Sequence, residues 1–300
     1  MKTEITADWA FKRYQEILER LPRAICSGAS LQINDLSELE NQFDVFIFDA
    51  FGVLNVGETP VGGAAARIEK LRQIGKQIFF LSNSASQPRE KIKDKYSAMS
   101  FEFTSHEIVT SRDIMILELE NYDQDMCWGV IAAGSTSHDD LPCRTVPLDR
   151  TNIADVDGVI FLNISEWSDS RHQDLINALR VHPRPVLIGN PDLVGPREDS
   201  FSRQPGYYGH DIWDRTDIVP QFFGKPYANA FDLIRIRLGD QYSGKRVVMV
   251  GDTLHTDILG AAAAGFSSAL VTGHGVMRGL DVKACIKASE IRPDFILPTI

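Results

Sequence analysis

An α/β fold built on a parallel sheet is the class this chain predicts, and three observations carry that expectation. Short apolar runs alternate with stretches of helical period through residues 45–110, and again from 222 onward. Two of the runs, 45–48 and 246–250, lead straight into an acid: Asp49 directly, Asp252 after Gly251. Between the two blocks, over about 112–220, the rhythm changes, as it would in an inserted domain. In open sheets of this kind crossovers are right-handed, and ligands sit at the carboxyl ends of the strands.

Taken in order, residues 7–21 form a helical period with Tyr14, Ile17, Leu18 and Leu21 on one face and Pro22 closing it. Residues 1–40 are therefore an N-terminal helical extension that packs on the core or on a partner chain. The run 45–48 is apolar throughout and β-favouring, which suits a strand buried on both faces. Gly52, Asn55 and Gly57 then turn the chain away. A helix is expected from Thr59-Pro60 to about Ile74, with Gly75 as its stop, then a strand at 77–81 ending in Ser82-Asn83-Ser84. A helix over 88–99 and a strand over 107–110 complete the first block, 41–111. The middle block, 112–220, offers strands at 128–133, 159–164 and 186–188, a helix near 169–180, and a loop-rich stretch over 190–220. The last block, 221–300, resumes with a helix from Tyr227 to Leu238, the strand 246–250, an Ala-rich helix over 256–264 and a strand over 268–272.

Three hundred residues allow one large domain or two modest ones. At 43% hydrophobic and 24% charged, the composition is that of a soluble globular protein. A net charge of −10 argues against a nucleic-acid partner, because phosphate contacts need clustered Lys and Arg. No apolar run approaches the ~18 residues that span a bilayer, so no membrane partner is expected. Cys26, Cys127, Cys143 and Cys285 form no CxxC pair, and the first fifteen residues hold no apolar signal region. A reducing cytoplasm is the simplest setting.

If the two acid-tipped strands are neighbours, Asp49, Asp252 and Asp257 gather at one edge of the sheet. Three such carboxylates repel, and each raises the others' pKa. A hard divalent cation relieves that repulsion, and an all-oxygen site suits Mg2+. Taken singly, Asp49 caps a turn and Asp257 meets a helix dipole. Ser82 offers a hydroxyl beside free amides, the ingredients of a phosphate cradle, although Ser-Asn after a strand is also an ordinary turn. Lys225, in Phe-Gly-Lys-Pro, places an ammonium in a tight loop before a helix.

In order, these pieces resemble the four motifs of the haloacid dehalogenase-like superfamily: Asp49-x-x-Gly-Val-Leu, Ser82-Asn83, Gly224-Lys225-Pro226 and Gly251-Asp252 with Asp257 following. The long gap between Ser82 and Lys225, with Asn190-Pro191-Asp192 inside it, resembles the NagD-like branch, subfamily IIA. The resemblance covers about residues 43–300. It implies a HAD-like Rossmannoid three-layer core with a parallel sheet and an inserted α/β cap of the second type. It implies a Mg2+-dependent phosphatase acting on small phosphorylated metabolites. Asp49 would be the nucleophile that forms an aspartyl-phosphate. Asp49, the Phe51 carbonyl, Asp252 and Asp257 would hold the metal. Ser82, with amides near Phe51, Gly52 and Asn83, would bind the phosphoryl oxygens, and Lys225 would offset charge. Asn190, Asp192 and His210 of the cap are candidates for substrate specificity.

One position departs from the pattern. Phosphatases of this superfamily usually carry a second Asp two residues after the nucleophile, as general acid and base, and here that residue is Phe51. Such assistance is worth roughly 10²–10⁴ in rate, so weak activity on poor leaving groups is expected, or a proton carrier in the cap, for which His210 and His138 are candidates. The alternative is a catalytically weak phospho-ligand binding or regulatory protein; a metal-free dehalogenase fits the acids at 252 and 257 less well. A homodimer would use the N-terminal helix or the cap. Gly239–Lys245 nearly spells a P-loop but precedes its strand and has Arg246 where a hydroxyl is needed.

Overall fold

The computed structural model describes residues 5–26, 28–134, 136–196, 200–239 and 245–300. Residues 240–244 of the P-loop-like stretch and 197–199 of the 190–220 stretch lie outside the described residues. Two parallel sheets dominate. The larger has seven strands in the order 31–32, 295–297, 267–271, 247–251, 45–48, 77–82, 108–110. The smaller has five, ordered 221–222, 186–188, 158–161, 127–131, 144–147, and is inserted in the chain between strands 108–110 and 247–251 of the larger one. Every pairing in both sheets is parallel.

The strand Val45–Phe48 is central because both of its faces are apolar. Phe46 and Phe48 face a cluster with Ile68, Leu71 and Phe80, while Val45 and Ile47 face another with Phe79, Phe231 and Met249. All four strand residues are fully buried, and each such side chain stabilises the fold by about 2 kcal/mol. Phe48 pairs with Val250 on one side and Phe80 on the other. That register brings Asp49, Asp252 and Ser82 to the same edge.

Several expected elements shift. The N-terminal helix runs Ala7–Glu16 and continues as a 3-10 turn over Leu18–Arg20. Thr59-Pro60 opens no helix; it pairs with Asn55–Val56 as a small hairpin, and the helix starts at Ala64. The hairpin wins because Asn55, buried and bonded to the Gly57 carbonyl at 2.6 Å, fixes the turn. The 190–220 stretch holds an unexpected helix, Pro205–Arg215, beside a hairpin of Val194–Pro196 with Phe201–Arg203. Pro205 stands at the start of that helix, where a missing N–H costs nothing. The Ala-rich helix opens as a π-turn over Leu254–Ile258 before Leu259–Ala263. Gln221–Phe222 pairs with Val186–Ile188, so the smaller sheet reaches residue 222. Among the described residues, no helix is long and apolar enough to cross a membrane.

Candidate active site

Asp49 leaves its strand with its N–H donating to the Val250 carbonyl at 2.9 Å. The chain then turns at Gly52, whose φ of 86° is left-handed and whose Cβ, if present, would collide with the Asp252 carboxylate. Glycine is required there on both counts. The turn is braced by Gly52 N–H donating to the Asn55 carbonyl at 2.8 Å and by Tyr96 Oη donating to Asn55 Oδ1 at 2.7 Å.

The second acid-tipped strand, Val247–Gly251, delivers Asp252, which accepts from Val276 N at 2.7 Å and from Thr253 Oγ1 at 2.8 Å. Asp257 sits in the π-turn and accepts from the N–H groups of Asp252 and Thr253 at 3.1 and 3.0 Å. Asp49, Asp252 and Asp257 each present an oxygen within 4.8 Å of the others. The three acids far apart in sequence do converge.

Lys225 Nζ donates to Asp257 Oδ1 at 2.8 Å and to Asp49 Oδ1. It is fully buried, and the two carboxylates hold its pKa above the ordinary lysine value against the cost of burial. Burial pushes Asp49 up to about 7; Lys225 pulls the other way and Asp257 adds to the rise. Asp252 is raised well above the usual carboxylate range by burial and by its two acidic neighbours. Two of the three clustered carboxylates thus share one buried ammonium. The donor set is one a hard divalent cation fits, because it is all oxygen and carries excess negative charge. Asp49, Asp252 and Asp257 could hold such an ion.

Ser82, at the end of strand Gln77–Ser82, accepts from Ser84 N at 3.2 Å and lines the cavity. Asn83 contributes its side chain as well as its amide. Its Oδ1 accepts from Lys225 N at 2.7 Å, while Nδ2 donates to the Lys225 carbonyl at 2.9 Å and to Asp192 Oδ1 at 2.8 Å. Gly224, with φ of 117°, lets the lysine loop lie this close; a Cβ there would strike Ser111 and Asn83. One amide therefore pins both the lysine loop and the insert.

A cavity of about 310 Å³ lies between the two sheets. Asp49, Phe51, Ser82, Asn83, Lys225 and Asp252 line it from one side. Leu162, Asn163, Asn190, Asp192 and Gln204 line it from the other. Burial pushes the Asp192 carboxyl up to about 6, with Lys225 and the Asn83 hydrogen bond opposing. Asn190 Oδ1 accepts from Asp192 N at 2.9 Å, shaping that loop.

His210 and His138 stand apart from the cavity wall. The His210 ring stacks on Phe222 at 4.6 Å, and burial pushes its pKa down to about 3. His138 Nδ1 pairs with Thr145 Oγ1 at 2.8 Å, in the edge strand of the smaller sheet. Neither is placed to carry a proton into the site. Conversely, Tyr14, Lys95 and Gln204 line the cavity without having been singled out. Tyr14 falls on the apolar face of its helix, so its period reads as core; Lys95 and Gln204 carry no motif.

The chain is similar to several known proteins. The haloacid dehalogenase-like hydrolase family matches residues 46–139, and a HAD-hydrolase-like family matches 222–300. A 4-nitrophenylphosphatase of Schizosaccharomyces pombe is 23% identical over 89% of this chain and 95% of its own length. A human glycerol-3-phosphate phosphatase is 27% identical over 86% of this chain and 88% of its own. Among solved structures, a possible sugar phosphatase of the HAD superfamily from Cytophaga hutchinsonii superposes with a TM-score of 0.80 at 24% identity, covering 90% of this chain and 98% of the other.

Proposed function

We propose that this member of the haloacid dehalogenase-like superfamily, a phosphoric monoester hydrolase, belongs to the NagD-like branch and uses Asp49 as its nucleophile toward small phosphorylated metabolites. The observation that carries this reading is the convergence of Asp49, Asp252 and Asp257, with Lys225 bonded to Asp49 and Asp257, where Asp49, Asp252 and Lys225 line one cavity. The insert, about 112–220, acts as the cap, and Asn190, Asp192 and Gln204 contribute to specificity from it.

In the first displacement an Asp49 oxygen attacks phosphorus, and the P–O bond to the leaving group breaks as the aspartyl-phosphate forms. In the second, water attacks the same phosphorus and the bond to Asp49 breaks, regenerating the carboxylate. Lys225 offsets negative charge on Asp49 and the phosphoryl oxygens, and Ser82 with nearby amides orients those oxygens. Asp49, Asp252, Asp257 and the Phe51 carbonyl would hold Mg2+, which when bound supplies charge neutralisation and orients a phosphoryl oxygen.

Phe51 donates no proton to the departing oxygen. Asp192, on the opposite wall and held by Asn83, is the carboxyl that takes this role. A group titrating near 6 keeps a proton for part of the time at neutral pH. Because that proton is present for only part of the time, activity is strongest on esters whose leaving group departs without help.

The test is turnover of 4-nitrophenyl phosphate and a panel of phosphorylated metabolites with Mg2+. The reading expects turnover that disappears in Asp49→Asn. Tight binding of a panel member without turnover would instead favour a phospho-ligand sensor.

A further inference from the structure

The N-terminal helix Ala7–Glu16 and its 3-10 extension touch both the insert and the core. Toward the insert, Arg13 Nη2 donates to Asp214 Oδ2 at 2.7 Å, and Arg20 donates to the other oxygen of the same carboxylate. The Arg20 guanidinium also lies 4.8 Å over the Trp213 ring, and Trp9 lies 5.8 Å from Tyr207. These three partners all belong to the helix Pro205–Arg215. Toward the core, Gln15 Nε2 bonds to His255 Nε2 at 3.0 Å, in the same π-turn that carries Asp257.

Tyr14 joins the two sides. Its ring stacks on His255 at 5.0 Å with planes 9° apart, and its hydroxyl accepts from Leu193 N at 3.1 Å. Leu193 directly follows Asp192, and Tyr14 itself lines the cavity. Around this point Ala10, Tyr14 and Ile17 share one apolar cluster with Leu193 and Val194 of the insert and Leu254 and Ile258 of the core. A helix that merely filled a groove on one domain would show no such double set of ties.

We propose that residues 6–21 are a strap holding the cap over the core, and that Tyr14 is the positioning residue that seats the 190–193 loop against the phosphate cradle. The physical consequence is a population effect. A cap that opens to admit substrate spends a fraction of its time closed, and apparent affinity falls in proportion when that fraction falls. Loss of one neutral hydrogen bond corresponds to roughly a twofold to tenfold change in such an equilibrium. On 4-nitrophenyl phosphate, whose leaving group needs no proton from Asp192, loss of the strap acts through closure alone, raising KM and leaving kcat nearly unchanged.

The kinetic half of this proposal rests on the hydrolytic reading above; the structural half does not. The experiment compares the full chain with Tyr14→Phe and with the double variant Arg13→Ala/Arg20→Ala, by hydrogen exchange and by kinetics on 4-nitrophenyl phosphate with Mg2+. Tyr14→Phe keeps the ring on His255 and removes only the tie to Leu193; the arginine pair lies away from the reacting groups. The expected result is faster exchange at 190–196 and 205–215 in both variants, with strand Val247–Gly251 unchanged, and a KM raised about twofold to tenfold with kcat within about twofold. Unchanged exchange in those cap segments overturns the strap. So does a rise spread evenly through the core strand, or a fall in kcat at constant KM. A wild-type chain with no turnover would end the hydrolytic reading while leaving the exchange comparison to decide the strap.

Discussion

Strand Val45–Phe48 of the larger sheet ends in a carboxylate, and strand Val247–Gly251 beside it ends in another. In the smaller sheet, strand Gly158–Phe161 runs into Leu162 and Asn163, and strand Val186–Ile188 into Gly189, Asn190 and Asp192. Both sets of strand ends face the same cavity. The two sheets share a parallel plan, yet among the described residues one contributes clustered acids with a lysine and the other amides, an apolar residue and a single acid. Charge that must be neutralised and aimed at phosphorus sits on the rigid core, where four buried strand residues fix Asp49. On the proposed reading, groups that sample the rest of a substrate sit on the insert wall.

The first way to break this division is at the core. Asp49→Asn lowers kcat on every phosphomonoester by on the order of 10⁴-fold or more, since no other group takes over the displacement; steady-state kinetics with Mg2+ reads it. Chelation of divalent cations removes turnover and Mg2+ restores it, with far-UV circular dichroism unchanged. Asp252→Asn raises the Mg2+ concentration for half-activation by about tenfold or more.

The division is sharpened at Asp192, the one acid on the insert wall among the described residues. Asp192→Asn lowers turnover of alkyl phosphates by roughly 10²-fold and that of 4-nitrophenyl phosphate much less, because only the former need a proton on the departing oxygen. Equal losses on both would reduce Asp192 to a loop anchor for Asn83. Asn190→Ala, which removes the acceptor for Asp192 N, raises KM within about tenfold and leaves kcat near its original value.

The smallest effect lies under the strap, at His210. Its pKa in the folded chain, about 3, is below the ordinary histidine value, because burial disfavours the cation. The folded state therefore binds fewer protons than the unfolded one below about pH 6.5, and stability is lost as pH falls through that region. The loss is up to about 1.4 kcal/mol per pH unit for one group. The ring stacks between Phe222 and Trp213, and its Nδ1 has no partner among the described residues, so His210→Phe keeps the packing. In urea titrations the variant retains ~2 kcal/mol more stability than the parent on going from about pH 6.5 to about pH 5.

The core site was legible because each of its residues follows a buried strand or tight loop with a local signature. The apolar run before Asp49, the one before Asp252 and the Gly-Lys-Pro at 225 each carry their own spacing. The hairpin at 55–60 was hidden because Thr59-Pro60 is equally a helix start, and only the buried Asn55 decides between them. Helix Pro205–Arg215 was hidden because its glycines read as breakers, whereas Gly206 and Gly209 allow close approach to Pro191 and Ile188. Tyr14 and Asp192 belong to one site through contacts across 179 residues, such as Leu193 N to Tyr14 Oη. No local pattern encodes a meeting of that range, so the strap emerges only in three dimensions.

The most direct test of the central claim is a single turnover with 4-nitrophenyl phosphate and Mg2+, quenched in acid and followed by peptide mass spectrometry. One phosphoryl group on the peptide that carries Asp49, absent from Asp49→Asn, is the predicted result. Release of inorganic phosphate at the full rate with no phosphorylated Asp49 peptide at any quench time would contradict it.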